Sequence, residues 1–218
     1  FLVSIYFIVF NYLQNSRNEK ANNKLIKEVI NMETKYDEKI NWSKLTQVNE
    51  DIIGWIEIPN TNINYPILKD ENLYYLTHNF EGKSNKNGSI FIRNDNIDHD
   101  QEITLYGHNM KNGTMFSQLS NYMNKDFLTK IFIYTKECTY EGNIFVAYSK
   151  GVNEEIDSIK NLNFYEKVMY YKNQGIHIEN MEGDVSKIVK LTTCSYINAT
   201  TIPTNQRYYV IAQIMENS

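Results

Sequence analysis

The run Ile188-Val189-Lys190-Leu191-Thr192-Thr193-Cys194 decides how this chain is read. It is apolar apart from Lys190, turns polar at the two threonines and stops on a cysteine. Short apolar runs of this kind are strands. A loop containing Ala199-Thr200-Thr201-Ile202-Pro203 follows, and Arg207 then opens a second run over 208–215. If Thr193 and Tyr208 flank the two ends of a hairpin, Cys194 and Arg207 face each other across its mouth. A third run, 103–106, leads into Gly107-His108 and the turn Asn109-Met110-Lys111-Asn112-Gly113. A Cys, an Arg and a His thus each stand where a predicted strand meets a loop, the place where rigid scaffolds present catalytic groups.

Working outward, strands are predicted over 55–58 and 63–68, either side of the turn Pro59-Asn60-Thr61-Asn62, and over 89–93, 130–135 and 142–148. A short helical turn is expected at 73–76. Helical spacing of Phe116, Leu119 and Met123 marks 115–122, and 163–174 reads as a helix between two strands. Many short strands with few long helices give a mainly β domain, a closed barrel or a sandwich. Upstream, Leu25, Ile26, Val29, Ile30 and Met32 make an imperfect helical stripe within 15–40, read as a stalk that packs weakly on the domain. Ser43 is the expected cap of a second helix running toward Ile53.

The chain begins FLVSIYFIVFNYL, shorter than the roughly 20 residues a bilayer span needs. Three readings compete for it: part of a membrane anchor, the core of a signal peptide, or a buried helix. No small-residue cleavage site follows, which favours an uncleaved N-terminal anchor. The expected organisation is an anchor over 1–14, a helical stalk over 15–48 and a catalytic domain over 49–218.

The 218 residues carry a formal charge of −4, which suggests no general role in binding nucleic acid. There are two cysteines, Cys138 and Cys194, and neither a CxxC nor an HxxxH pair, so a structural zinc site is not expected. Acidic residues are dispersed, and nothing visible requires a metal or another cofactor. A Cys138–Cys194 disulfide stays open on sequence alone. Taken singly, Cys194 reads as a small buried hydrophobe, Arg207 as a solvated cation and His108 as a surface histidine. Together they read as chemistry, since a cationic neighbour favours the nucleophilic thiolate. His78, His99 and His177 lack comparable context. The order His before Cys argues against a papain-like protease, and no Gly-x-Cys-Gly elbow supports a chymotrypsin-like one.

Several longer stretches carry a family resemblance. They are Asp51-Ile52-Ile53-Gly54-Trp55-Ile56-Glu57-Ile58-Pro59, then Gly88-Ser89-Ile90-Phe91, then Tyr106-Gly107-His108-Asn109-Met110 with Gly113-Thr114-Met115-Phe116, and last Leu191-Thr192-Thr193-Cys194 with Arg207. From about Asn49 to Met215 the chain resembles a class B sortase, a membrane-anchored cysteine transpeptidase of Gram-positive bacteria. The resemblance implies an eight-stranded β-barrel with N-terminal helices and an extra helix, 163–174, between the last strands. It implies Cys194 as nucleophile, His108 as general acid/base and Arg207 as oxyanion stabiliser. Asn72, Leu76, Tyr148, Phe164, Thr192 and Thr193 are the implied substrate contacts. The implied reaction cleaves a C-terminal sorting motif of a secreted protein at a Thr carbonyl and passes the acyl group to a peptidoglycan amine. The implied partners are therefore sorting-motif proteins, a wall or lipid-linked amine and the membrane, with the catalytic domain outside the cell.

Two departures stand out. The loop 195–206 is longer than the usual class B connection, and Ser195 takes the place of the acidic residue often found after the cysteine. Three rival readings remain: a hydrolase on the same fold, a pilin-polymerising sortase, and an anchored β-barrel that binds without catalysis. No lid segment precedes Gly54, which counts against the second.

Overall fold

Alternation along each strand separates an inside from an outside, and closure of the sheet makes the inside a core. The computed structural model describes residues 2–30, 39–124, 129–177, 183–197 and 204–217. Its strands are β1 (Ile52–Glu57), β2 (Asn64–Lys69), β3 (Ile90–Ile92), β4 (Glu102–Tyr106), β5 (Lys130–Thr135), β6 (Thr139–Gly151), β7 (Ile176–His177), β8 (Ile188–Cys194) and β9 (Gln206–Glu216). Hydrogen bonding orders them β5-β1-β2-β3-β4-β8-β9-β6, and β6 pairs back onto β5, so eight strands close a barrel. β7 is a two-residue addition to the far half of β6. The register of β6 on β9 shifts between Ile144 and Val146, the kind of irregularity that bends a long strand around a barrel.

Ile56, Ile67, Ile103, Leu105, Val189, Leu191 and Val210 fill the interior. The alternate residues of β8, β9 and β6 face outward, and Ile188, Tyr209, Ile211 and Tyr148 pack there with Val168 and Tyr171 of helix α4 (Phe164–Lys172). A second outer cluster joins Trp55, Leu68, Phe91 and Tyr134 to helices α1 (Leu2–Val29) and α2 (Trp42–Val48) through Leu25, Val29 and Leu45. This is the mainly β, eight-stranded barrel that the family resemblance implies, with helices before it and one between the last strands.

Details differ where local side-chain chemistry outweighs pattern. The cap of α2 is Asn41, whose side-chain oxygen accepts the Lys44 N–H at 3.1 Å. Ser43 instead donates to the same Asn41 oxygen at 2.8 Å. α1 runs unbroken across the expected border between 14 and 15, and it docks firmly: Leu25 and Val29 are buried. Met32 of the predicted stripe lies outside the described residues. No helix among the described residues is long and apolar enough to cross a membrane. An additional helix, α3 (Val152–Ile159), follows β6 directly; its short stripe falls in a charged segment that periodicity did not mark.

One polar cluster ties α4 to the barrel. Glu102 on β4 accepts from Lys190 at 3.0 Å, Lys167 at 2.8 Å and Tyr171 at 2.6 Å. Burial alone would raise the Glu102 carboxyl, but the Lys190 charge and these hydrogen bonds outweigh it and hold it at about 2. A carboxyl depressed in this way stabilises the fold above the ordinary value of 4.5, and the contribution is lost as pH falls through the gap toward 2. Thermal melts of Glu102→Gln from pH 7 downward should start lower than the parent and lack the parent's loss of stability between pH 4.5 and 2. Identical acid profiles would remove Glu102 from that role.

Candidate active site

The pairing of β4 with β8 sets the site. These strands run parallel, with Tyr106 opposite Thr192. Two residues further on, the same register brings His108 level with Cys194. The two segments stay together past the strand ends: Gly107 N–H donates to Thr192 O at 3.3 Å, and the Thr193 hydroxyl donates to Gly107 O at 2.7 Å. Asn109 closes the join, its side-chain amide donating to Cys194 O at 2.7 Å. On the other side, antiparallel β9 places Arg207 directly opposite Cys194. Beyond it, β6 places Lys150 opposite Arg207. Directly opposed residues share a face of a sheet. His108, Cys194, Arg207 and Lys150 therefore form one row across four neighbouring strands, with the thiol between the imidazole and the guanidinium.

Each member of the row is held from behind. The His108 ring nitrogen Nε2 lies 2.8 Å from Leu76 O. A carbonyl only accepts, so Nε2 carries the proton and, in the neutral ring, Nδ1 is left as the base. Leu76 ends a 3-10 turn (Tyr74–Leu76) that Asp70 fixes, taking N–H bonds from Asn72 at 3.0 Å, Tyr74 at 3.0 Å and Tyr75 at 2.6 Å. Gly88 makes room for this contact. Its φ is +58°, and a Cβ there would lie 2.7 Å from Leu76 O and 3.1 Å from His108 Cδ2. Arg207 uses its Nη1 protons on Thr204 O at 2.8 Å and Gln206 O at 2.9 Å. That anchors the fork while Nε and Nη2 keep three donors for a ligand. Lys150 is engaged by the Tyr170 hydroxyl at 2.7 Å and the Ser158 hydroxyl at 3.0 Å, which secures α3 and α4 beside the row. Cys194 is a half-buried free thiol. So is Cys138, in the turn between β5 and β6 at the opposite end of the barrel, and burial pushes its thiol up.

The other predicted residues are distributed unevenly around the row. Thr192 and Tyr148 share the outer face of the sheet with Cys194. The Thr192 hydroxyl is buried without a protein partner, and Tyr148 is buried, donating to Glu155 at 2.6 Å. Thr193 points to the opposite face and serves the join with Gly107. Leu76 is partly exposed beside His108, and Asn72 is exposed on the same turn. Phe164 is not brought to the row. It lines a cleft with Glu102 and Lys190, and four strand residues, about 13 Å, separate Lys190 from Cys194. Sequence reasoning quoted Asn109 and Gly88 within motifs without assigning them work, and it did not single out Asp70 or Lys150. Only the strand register and the turn geometry reveal those four.

Comparison with known proteins identifies the family and the fold. A family model of the sortase domain matches residues 56–215. Sortase B of Listeria monocytogenes is 36% identical over 160 residues, 69% of this chain; the match spans 65% of that protein, just under two thirds. Sortase B of Staphylococcus aureus is 28% identical over 98% of this chain and 91% of its own length. Among solved structures, Clostridium perfringens sortase B superposes with a TM-score of 0.71 at 28% identity, covering 80% of this chain and all of that one. A Staphylococcus aureus sortase B–substrate complex gives 0.69 at 27% identity, covering 81% and 85%. The chain belongs to the sortase family. The relatives it resembles are class B sortases.

Gly88→Ala tests the support behind the imidazole. The added methyl must displace Leu76 O, and its φ penalty costs about 1–2 kcal/mol. Nitrogen NMR of the neutral His108 ring should change from a single Nε2–H tautomer to a mixture in the variant. An unchanged tautomer would show that Leu76 O does not select it.

Proposed function

We propose that the chain is a class B sortase in action as well as in fold: a cysteine transpeptidase that joins secreted proteins to the cell wall. The observation that carries this is the single row in which Cys194 lies between His108 and Arg207. Cys194 thiolate attacks the Thr carbonyl carbon of the sorting motif, and the carbonyl electron pair moves to oxygen. Arg207 faces that oxyanion with its remaining donors, and a fixed cation there lowers the barrier. His108 as imidazolium gives its proton to the amide nitrogen, the C–N bond breaks, and the acyl group stays on sulfur as a thioester. An amine then adds to the thioester carbonyl. Neutral His108 takes a proton from it, the C–S bond breaks, and Cys194 leaves as thiolate. The product is a new amide, and the enzyme returns to its starting charge state.

The outer face below Cys194, with Thr192 and Tyr148 in its floor and Leu76 and Asn72 at its rim, is the proposed seat of the sorting peptide. Thr193 supports this seat from the opposite face by joining the strands, and Phe164 lies away from it, in the cleft beside Glu102 and Lys190. The Staphylococcus aureus relative in complex with a substrate supports this class of ligand. The proposed acceptor is an amine of peptidoglycan or its lipid-linked precursor. Residues 1–14 are the proposed anchor, holding the catalytic domain on the outer side of the membrane.

Mass spectrometry of the chain with a panel of sorting peptides, with and without an amine, tests the reading. A Cys194 thioester that resolves into an amide when amine is added is the expected result. Cleavage that ignores the amine points to a hydrolase, and no adduct on any peptide, with the fold and thiol intact, points to a binding module. Cys194→Ala should form no thioester. Arg207→Lys should lose about 10²–10³ in turnover, because a point charge does not replace the planar fork. Near-normal turnover in that variant refutes Arg207 as an oxyanion donor. Added calcium should leave the rate within about twofold, as no acidic cluster among the described residues is arranged to hold a cation.

A further inference from the structure

A two-substrate reaction needs a second seat, and the barrel end that carries the row has another cavity. β2 begins at Asn64 and runs parallel to β3, which begins at Ile90; β3 is antiparallel to β4. The starts of β2 and β3 therefore lie at the same end as His108 and Cys194. Helix α1 crosses this end, and between it and the barrel lies a cavity of about 280 Å³. Its placement is specific: the Asn22 amide donates to Asn64 O at 3.1 Å, and the Asn85 amide bonds Asn18.

The lining is unusual in chemistry. Eight asparagines contribute to it, Glu19 is its one charged residue, and no lysine or arginine is among them. Two carboxamide oxygens on its wall, those of Asn22 and Asn87, are buried with no protein hydrogen-bond partner. Asn87 is 2% exposed. A buried acceptor without a donor is costly, and a ligand that supplies N–H groups relieves it. The cavity also touches the catalytic row. Gly88 is part of its wall, and a Cβ on that glycine would lie 3.1 Å from the His108 ring. Asn112, Thr114 and Met115 of the same loop line it, while Asn109 holds the Cys194 carbonyl. Asn62 braces the loop from below, donating to Gly113 O at 3.2 Å. The His108 loop thus borders the cavity and also holds the segment that carries the thiol.

We infer that this asparagine-lined cleft between α1 and the barrel receives the amine acceptor, a short peptide segment with no charged side chain and a free amine. Carboxamide oxygens take its N–H groups, Glu19 at the mouth attracts its ammonium, and the cleft sends it toward His108, the proposed proton acceptor. The N-terminal helix is then one wall of the second substrate site. The inference rests on the transpeptidase reading for its meaning in the reaction, but binding itself does not require catalysis.

The test is a titration of the chain with triglycine amide, followed by proton–nitrogen NMR. The expected result is saturable shifts of the Asn22, Asn87 and Asn112 side-chain amides and the Gly88 N–H. Asn22→Leu should weaken binding about tenfold or more, from the loss of a buried polar partner. Glu19 is exposed, so Glu19→Gln leaves the fold intact. It should weaken triglycine amide but not its N-acetylated form. Shifts confined to the Cys194–Arg207 side, no saturation, or equal affinity in Asn22→Leu would overturn the inference. So would tighter binding of an N-acetylglucosamine dimer than of the peptide. A titration that succeeds while no Cys194 thioester forms would sink the transpeptidase reading and leave the cleft; the converse would sink the cleft alone.

Discussion

The parallel pairing of β4 with β8 is the constraint on which the rest depends. It joins the first half of the barrel to the last, and it fixes how far along one strand stands relative to the other. A slip of one residue would turn every side chain of β8 to the opposite face, taking Cys194 into the core and Thr193 out of it. The ion pair between Glu102 and Lys190 works against that slip. It lies on the outer face of these two strands, four residues before Cys194, with Thr104 opposite Lys190 and Tyr106 opposite Thr192. Register pinned at one end of the pairing is delivered as alignment at the other. Helix α4 joins the same cluster through Lys167 and Tyr171, so it shares in holding the thiol level with the imidazole.

Behind the row, backbone groups do what side chains do in many other sites. A main-chain carbonyl selects the tautomer of His108, and two more carbonyls hold the fork of Arg207. Such partners carry no charge and do not titrate, so they orient without competing for the proton being moved. They are also only as rigid as the chain that presents them. Asp70 supplies that rigidity for the turn ending at Leu76, and Gly88 supplies the space.

Most of the barrel was legible because its strands alternate. All eight barrel strands were placed from apolar runs, and Cys194 facing Arg207 followed from treating 188–215 as a hairpin. His108 was legible as a histidine at a strand end, but not its closeness in space to the thiol: parallel pairing between strands more than eighty residues apart leaves no local trace. The same holds for Lys150, whose place depends on β6 continuing three residues beyond the apolar run. Asn41 took the cap expected of Ser43, since both are good capping residues and only geometry separates them. Phe164 was carried to the site by family pattern, yet the helix it begins starts at the far end of β8. Asparagines are so frequent in this chain that those gathered beneath α1 could not stand out until the fold assembled them.

The barrel keeps its two thiols apart. Cys138 sits in the turn that opens β6, and Cys194 lies level with the far end of that strand, about 40 Å away along it. A disulfide needs α-carbons within about 7 Å, so neither sulfur can ever reach the other. Cys138 therefore cannot resolve an oxidised Cys194. A sulfenic acid formed there would persist until some other thiol reduced it, or pass irreversibly to the sulfinic state. Where reductant is scarce, the working life of such a thiol is set by its surroundings rather than by the durability of the fold.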